Sequence, residues 1–198
     1  LLYKASDIVR LAVEREKPNE KRLEEYQEAN LESLLHDLLA DSPMYADLEE
    51  VILTDALTQL RQEFGADHPL IKQILGGREP AEAARRITAE TKLYDAAERK
   101  RLVDGGAAAV AQSNDPLIRL AKDLDPYYRE LRKRYEDEVK IVEDRAGLKI
   151  ARAMFAVKGN DTYPDATFTL RLSYGKIAGY ENYGYRLPCR TTFYGLYN

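Results

Sequence analysis

The chain of 198 residues has no tryptophan, a single cysteine (Cys189) and only two histidines (His36 and His68). One cysteine excludes an internal disulfide, and with two histidines it is too few for the usual structural zinc site. No apolar run approaches the roughly 20 residues that a membrane-spanning helix needs, so we expect no membrane span. The formal net charge of -4 argues against a nucleic-acid-binding protein.

The composition that is present supports a folded protein with two regions. Hydrophobic residues make up 44% of the chain and charged residues 32%, which is enough to bury a core. Residues 153–198 hold 7 of the 14 tyrosines and 3 of the 4 phenylalanines, and basic residues outnumber acidic ones only there. We therefore predict a helical domain over residues 1–157 and a β segment over residues 158–198. Both ends read as internal sequence, so we expect a piece of a longer protein.

The first region predicts one helix after another. Its apolar residues recur with helical spacing, and glycine or proline separates the stripes. Helix starts are predicted at Asn19, Ser42-Pro43, His68-Pro69, Glu79-Pro80 and Asp115-Pro116, and helix ends at Gly65, Gly76-Gly77 and Gly105-Gly106. From Tyr127 to Val157 only Gly147 interrupts the pattern, which predicts a long helix that Pro126 starts or kinks.

The second region changes period. Apolar and polar residues alternate from Ala166 to Tyr174, as in a half-buried strand. Further strands are predicted over residues 176–180 and 185–187, with a turn between them. Two or three strands are marginal alone and need a partner sheet. The predicted fold class is therefore mainly α, a multi-helix domain with a long helix followed by a short antiparallel β segment.

The residue types that carry nucleophilic chemistry are few and isolated. His36 lies beside a leucine stripe, and His68 lies between a capping position and Pro69, so both are interpreted as structural or solvated. Ser173 stands in half of a nucleophile-elbow pattern, but the glycine that should precede it is Arg171. Its place in a strand alternation is the simpler explanation. Cys189 is interpreted as an inert, small apolar residue.

Other motifs also have structural explanations. Gly76-Gly77 and Gly105-Gly106 lack the spaced glycines and the Lys-Ser/Thr pair of a phosphate-binding loop. Residues 127–135 mix basic and aromatic side chains, but acidic residues follow directly, which favours a solvated helix with internal ion pairs over an RNA or peptide surface. The sequence therefore predicts no catalytic, cofactor-binding or metal-binding residue in this chain.

Three stretches resemble a known family: residues 163–175, 151–159 and 191–197. Together they are similar to the bacterial dipeptidyl-peptidases of the VII and XI type, in family forty-six of the serine peptidases. Shorter matches to the helical region of that family are residues 8–11, 16–18 and 91–93.

The resemblance implies a chymotrypsin-like double β-barrel with a large helical insertion that caps the catalytic cleft. On this reading the chain is part of the insertion and the start of the return into the C-terminal barrel. Such enzymes release dipeptides from the free amino terminus of peptides, in the periplasm or at the surface of Gram-negative bacteria. They use no metal or organic cofactor, and homodimers are usual.

The resemblance also implies where catalysis resides. The catalytic histidine and aspartate of the family precede the helical insertion, and its serine follows the point where this chain ends. No catalytic residue is therefore carried over to this sequence, and we expect these residues alone to be inactive as a peptidase.

Two alternatives remain open at this point. A non-catalytic helical module would dock a partner through the long charged helix. An independent enzyme would act through His36 or His68.

Overall fold

The computed structural model describes residues 1–159, 172, 174–190 and 192–193. It contains two compact units, Leu1–Asp144 and Arg145–Asn198. The strand predicted over residues 166–174 falls largely outside the described residues, and so does Ser173. The domain boundary predicted at residue 157 stays a prediction.

The described part of the chain is mainly helical, as predicted. The α-helices are α1 (Leu2–Glu14), α2 (Glu28–Leu39), α3 (Ala46–Phe64), α4 (Pro69–Leu75), α5 (Pro80–Glu90), α6 (Ala96–Gln112), α7 (Pro116–Tyr135) and α8 (Ile141–Lys158). A π-helical turn, Glu136–Lys140, joins α7 to α8, so the long helix predicted from residue 127 starts earlier, at Pro116. Two strands follow, β1 (Tyr180–Asn182) and β2 (Tyr185–Leu187).

One hydrophobic core holds the first unit together. Helix α1 packs against α6 and α7, and α3 packs against α5. Their apolar stripes face inward, as expected for amphipathic helices. The largest apolar side chains that are almost wholly buried are Ile8, Leu11, Leu38, Ile71, Leu93, Leu102, Leu117 and Ile118.

Proline sets three helix starts where the sequence predicts them. Helices α4, α5 and α7 begin at Pro69, Pro80 and Pro116, because the first helical N–H has no partner within the helix and proline lacks it. The Asp115 carboxylate completes the start of α7 by accepting from the N–H groups of Leu117 (2.9 Å) and Ile118 (3.3 Å).

Two predicted helix starts are wrong. The helix expected from Asn19 begins only at Glu28, because Arg22, Leu23 and Gln27 are extended around two short 3₁₀ turns. The Asn19 side chain still accepts from the Glu28 N–H, at 2.8 Å, across that loop. The helix expected from Ser42-Pro43 begins at Ala46, and no side chain caps its start.

Two predicted interruptions are milder than expected. Helix α6 continues to Gln112, and Gly106 forms a kink with φ 55° and ψ -146°, a conformation that glycine adopts without a Cβ clash. Helix α7 continues through Pro126. An ion pair between Arg129 and Asp125 (2.6 Å) spans that proline and links the turns on either side of it.

The charged helix forms the internal ion pairs that the sequence predicts. Arg132, Lys133 and Arg134 at the end of α7 pair with the carboxylates four residues later, Glu136, Asp137 and Glu138. The pairs of Lys133 and Arg134 are exposed, and such pairs add little to stability. All three join the last turn of α7 to the π-helical turn that follows it.

In the second unit, β1 and β2 form an antiparallel hairpin. Tyr180 faces Leu187, Glu181 faces Arg186, and Asn182 faces Tyr185. Tyr183 and Gly184 form the turn with φ 51° and 81°, the positive values that a two-residue type I′ turn requires. None of the described helices is long and apolar enough to cross a membrane.

Candidate functional site

The two histidines lie on different elements of the first unit. His36 is exposed on α2. His68 caps α4, where its Nδ1 accepts from the Leu70 N–H at 3.2 Å, and its ring packs edge-on against Phe64 at 4.9 Å. Over the described residues, neither imidazole is hydrogen-bonded to a serine, a cysteine or a carboxylate. The single thiol, Cys189, is exposed.

The glycine pairs and the acidic residues show no sign of a ligand site. Gly76 ends α4 in the left-handed conformation and its N–H donates to the Lys72 carbonyl at 2.9 Å, so it stops the helix as predicted. Across the part of the chain that the structure describes, no group of three histidine, cysteine or carboxylate side chains could hold a metal ion.

The densest group of interacting charges joins the two ends of the first unit. We call Arg10, Glu14, Lys17, Asp125 and Arg129 the anchor cluster. The Arg129 guanidinium donates to Glu14 (2.7 Å) and to Asp125 (2.6 Å), while Arg10 donates to Asp125 at 2.9 Å. Lys17 donates to Glu14 at 2.7 Å. The cluster therefore ties α1 to α7, 115 residues further along the chain.

Glu14 is the centre of the anchor cluster because its side chain has 0% exposure. Burial by itself raises the pKa of Glu14, but hydrogen bonds from Lys17, Arg129 and the Leu23 N–H outweigh it, so the pKa lies below its ordinary value. The carboxylate is thus held ionised. The Arg10 guanidinium also stacks on the Tyr128 ring at 3.5 Å from its centroid.

A second hydrogen bond joins α1 to the loop before α2, and here the pKa of the carboxyl group is raised instead of lowered. The Tyr26 hydroxyl donates to Asp7 at 2.8 Å. Burial raises the pKa of Asp7 above its ordinary value, and the hydrogen bond from Tyr26 and the charge of Arg10 only partly offset it. Burial and the Asp7 charge likewise raise the pKa of Tyr26. Both groups hold the loop before α2 against α1.

Arg99 is the second structural centre, and it is fully buried with 0% exposure. Its guanidinium donates to the carbonyls of Leu38 (2.7 Å), Ala40 (2.8 Å), Leu93 (2.7 Å) and Tyr94 (2.9 Å). No carboxylate pairs with it among the described residues, so carbonyl dipoles at the end of α2 stabilise the charge.

Lys4 shares the end of α2 with Arg99. Its ammonium donates to the Asp37 carbonyl. Burial lowers the pKa of Lys4, and the charge of Arg99 lowers it further, while the charges of Asp37 and Asp7 oppose this. The two cations therefore satisfy carbonyls that the helix itself leaves without partners.

Asp115 ties the start of α7 to the loop between α5 and α6. Besides capping α7, its carboxylate accepts from the Thr91 hydroxyl at 3.0 Å and from the Lys92 N–H at 2.7 Å. Leu93 beside them is fully buried.

The short sequence matches of the helical region fall on these structural centres. Residues 8–11 contribute Ile8 to the core and Arg10 to the anchor cluster, and residues 16–18 contribute Lys17. Residues 91–93 contribute the contacts to Asp115 and Arg99. These residues therefore lie where the helices of the first unit contact one another.

The sequence model of the family described as Peptidase S46 matches residues 1–198. The chain belongs to the S46 peptidase family. It is also 30% identical over 195 residues to an Asp/Glu-specific dipeptidyl-peptidase of Shewanella putrefaciens, an alignment that covers 92% of this chain and 26% of that relative. The chain thus spans about a quarter of the S46 relative that it matches.

Sequence reasoning missed the anchor cluster and Arg99. Glu14 and Arg129 are separated by 115 residues, and Arg99 donates to carbonyls of two separate segments of the chain. Neither set of contacts therefore produces a local sequence pattern. Only the spacing of Asp125 and Arg129, four residues apart in a helix, carries a signal that the sequence shows.

Proposed function

We propose that this chain is the helical cap region of a serine dipeptidyl-peptidase whose catalytic residues lie outside residues 1–198. The observation that carries the proposal is the S46 family match along the whole chain. Among the described residues no imidazole is hydrogen-bonded to a serine, a cysteine or a carboxylate, which is consistent with chemistry located elsewhere in the full-length protein.

In this proposal the helical region limits access to the catalytic cleft. A cap that closes over bound peptide excludes water and restricts the cleft to a free N-terminal dipeptide. The anchor cluster supports this role because it fixes α7 to α1 and so holds the helices of the first unit together.

The remaining parts of the proposal concern the full-length protein. Its substrates are peptides with a free α-amino group, and it uses neither a metal nor an organic cofactor. It forms a homodimer and works in the periplasm or at the surface of a Gram-negative bacterium. The name of the Shewanella putrefaciens relative supports dipeptidyl-peptidase activity, and its preference for Asp and Glu is a property of that protein.

Hydrolysis of fluorogenic dipeptide substrates tests the proposal. We expect the full-length protein to cleave substrates with a free amino terminus and not their acetylated counterparts, while residues 1–198 alone cleave neither. A triple variant, His36→Ala, His68→Asn and Cys189→Ala, should keep kcat/KM within about twofold, because asparagine preserves a helix cap at position 68. A 100-fold loss in that variant would place a catalytic group inside this chain.

A further inference from the structure

A polar groove of about 500 Å³ lies where α4, α5 and α7 meet. We call it the arginine groove, because Arg86 of α5 and Arg119 of α7 both line it. Its other polar walls include Gln73, Glu90, Asn114 and Asp123. The groove lies wholly within the first unit, and none of its residues belongs to the anchor cluster.

The two arginines of this groove differ from the others in the first unit. Residues 1–144 contain 13 arginines. Eleven of them are hydrogen-bonded or ion-paired within the described structure, whereas Arg86 and Arg119 have no such partner there. The only two unpaired guanidinium groups of this unit therefore line the same groove.

Each of the two arginines has an acidic residue four positions later in its helix but forms no ion pair with it. Glu90 stands four residues after Arg86, and Asp123 stands four residues after Arg119. The same spacing produces ion pairs in Arg78–Glu82 and Arg134–Glu138. In the groove, Asp123 accepts from the Gln73 side chain at 2.8 Å instead, and Glu90 has no partner among the described residues.

The charge of the groove selects a small anion rather than a polyanion. Lys122 adds a third cation, and its ammonium lies 3.4 Å from the Val110 carbonyl. Three cations face the two carboxylates of Glu90 and Asp123, which leaves an excess of one positive charge. Planar guanidinium groups match a carboxylate through paired N–H donors. The unpaired Glu90 repels a phosphate, with nearly two negative charges, more strongly than a singly charged carboxylate, and it offers an acceptor for peptide N–H groups close to a bound carboxylate.

We propose that the arginine groove binds a carboxylate of a peptide through Arg86 and Arg119. The carboxylate belongs either to an Asp or Glu side chain or to the C-terminus of the peptide. The choice of a peptide as its carrier rests on the proposed function. The groove then acts as a second contact for acidic peptides on the helical region, away from the chemistry that cleaves them.

Calorimetric titration of the full-length protein with N-acetylated hexapeptides tests this proposal, because acetylation blocks release of a dipeptide. The four probes carry glutamate or glutamine at one internal position and a free or amidated C-terminus. The Arg86→Gln/Arg119→Gln double variant should bind the carboxylate probes at least about tenfold more weakly. The control is Arg85→Gln/Arg134→Gln, with the same charge change on exposed positions of the same two helices.

The four probes separate the two sources of the carboxylate. Binding of the amidated glutamate probe assigns an acidic side chain, and binding of the glutamine probe with a free terminus assigns the C-terminus. The Arg86→Lys/Arg119→Lys variant keeps the charge and loses the paired donors, so it should bind with intermediate affinity. Equal binding by the double glutamine variant and its control would overturn the proposal.

Two other results also overturn the carboxylate-binding proposal. The first is that no carboxylate probe binds at millimolar concentration, and the second is that inorganic phosphate binds while the carboxylate probes do not. Failure of the proposed function is distinguishable, because it appears in the hydrolysis of free-amine dipeptide substrates and not in these titrations. If the full-length protein hydrolyses no dipeptide substrate but still binds the carboxylate probes through the two arginines, the peptidase function is rejected and the carboxylate-binding groove is supported.

Discussion

Replacing Arg99 with methionine should lower the free energy of unfolding of this chain by about 4 kcal/mol. Methionine fills a similar volume but donates no hydrogen bond, so the carbonyls of Leu38, Ala40, Leu93 and Tyr94 lose a buried partner. Each buried group without a partner costs about 1–3 kcal/mol. Part of this cost is offset because the variant no longer has to bury a charged guanidinium. Urea unfolding monitored by circular dichroism measures the difference.

The chain offers a matched control for Arg99 on the same helix. Arg101→Met removes a guanidinium whose side chain is 57% exposed and paired with Glu98, so it should leave the free energy of unfolding nearly unchanged. The loss of stability caused by Arg99→Lys should fall between those of the two methionine variants. An ammonium donates to some of the carbonyls but lacks the planar set of N–H donors of a guanidinium. If Arg99→Met and Arg101→Met destabilise the chain equally, Arg99 does not hold the end of α2.

Replacing Glu14 with glutamine should cost about 3 kcal/mol at pH 7, because Arg129 and Lys17 then face a buried neutral amide. The lower end of the range for buried pairs applies, since the two basic side chains are 28% and 37% exposed. The exposed Glu130→Gln on α7 makes the same chemical change and should alter stability by less than about 0.5 kcal/mol.

The cost of Glu14→Gln should depend on pH. The folded state lowers the pKa of Glu14, so its stabilisation is complete above the ordinary value of 4.5 and is lost as pH falls through the folded pKa. The difference between the wild type and Glu14→Gln should therefore narrow below pH 4.5. A difference that stays constant from pH 7 to pH 3 would show that the ionised carboxylate is not what ties α1 to α7.

Local chemistry made part of this fold predictable. Proline at Pro69, Pro80 and Pro116 marked helix starts to the residue, because the first helical N–H needs no partner. The β1–β2 hairpin was predictable in part. Residues 185–187 form β2 as predicted, whereas β1 covers Tyr180–Asn182 and not residues 176–180, because the turn takes only the two residues Tyr183 and Gly184 with positive φ.

Tertiary contacts overrode the sequence signals elsewhere. Pro126 was predicted to start or kink a helix, and it lies inside α7, where the Arg129–Asp125 pair spans it and Arg10 fixes the same Asp125 to α1. The helix expected at Asn19 is delayed because Leu23 and Tyr26 meet Glu14 and Asp7 of α1 in an irregular loop. The arginine groove was equally hidden, since it is visible only once α5 packs against α7.

We propose that this chain belongs to a serine peptidase whose catalytic serine lies outside residues 1–198. Labelling the full-length protein with diisopropyl fluorophosphate, followed by mass spectrometry of its peptides, tests that claim most directly. We expect one serine beyond residue 198 to carry a diisopropylphosphoryl group, loss of dipeptide release in proportion to labelling, and no label on the serines of this chain. A label on Ser173 or any other serine within residues 1–198, or inactivation without a labelled serine, would contradict the account.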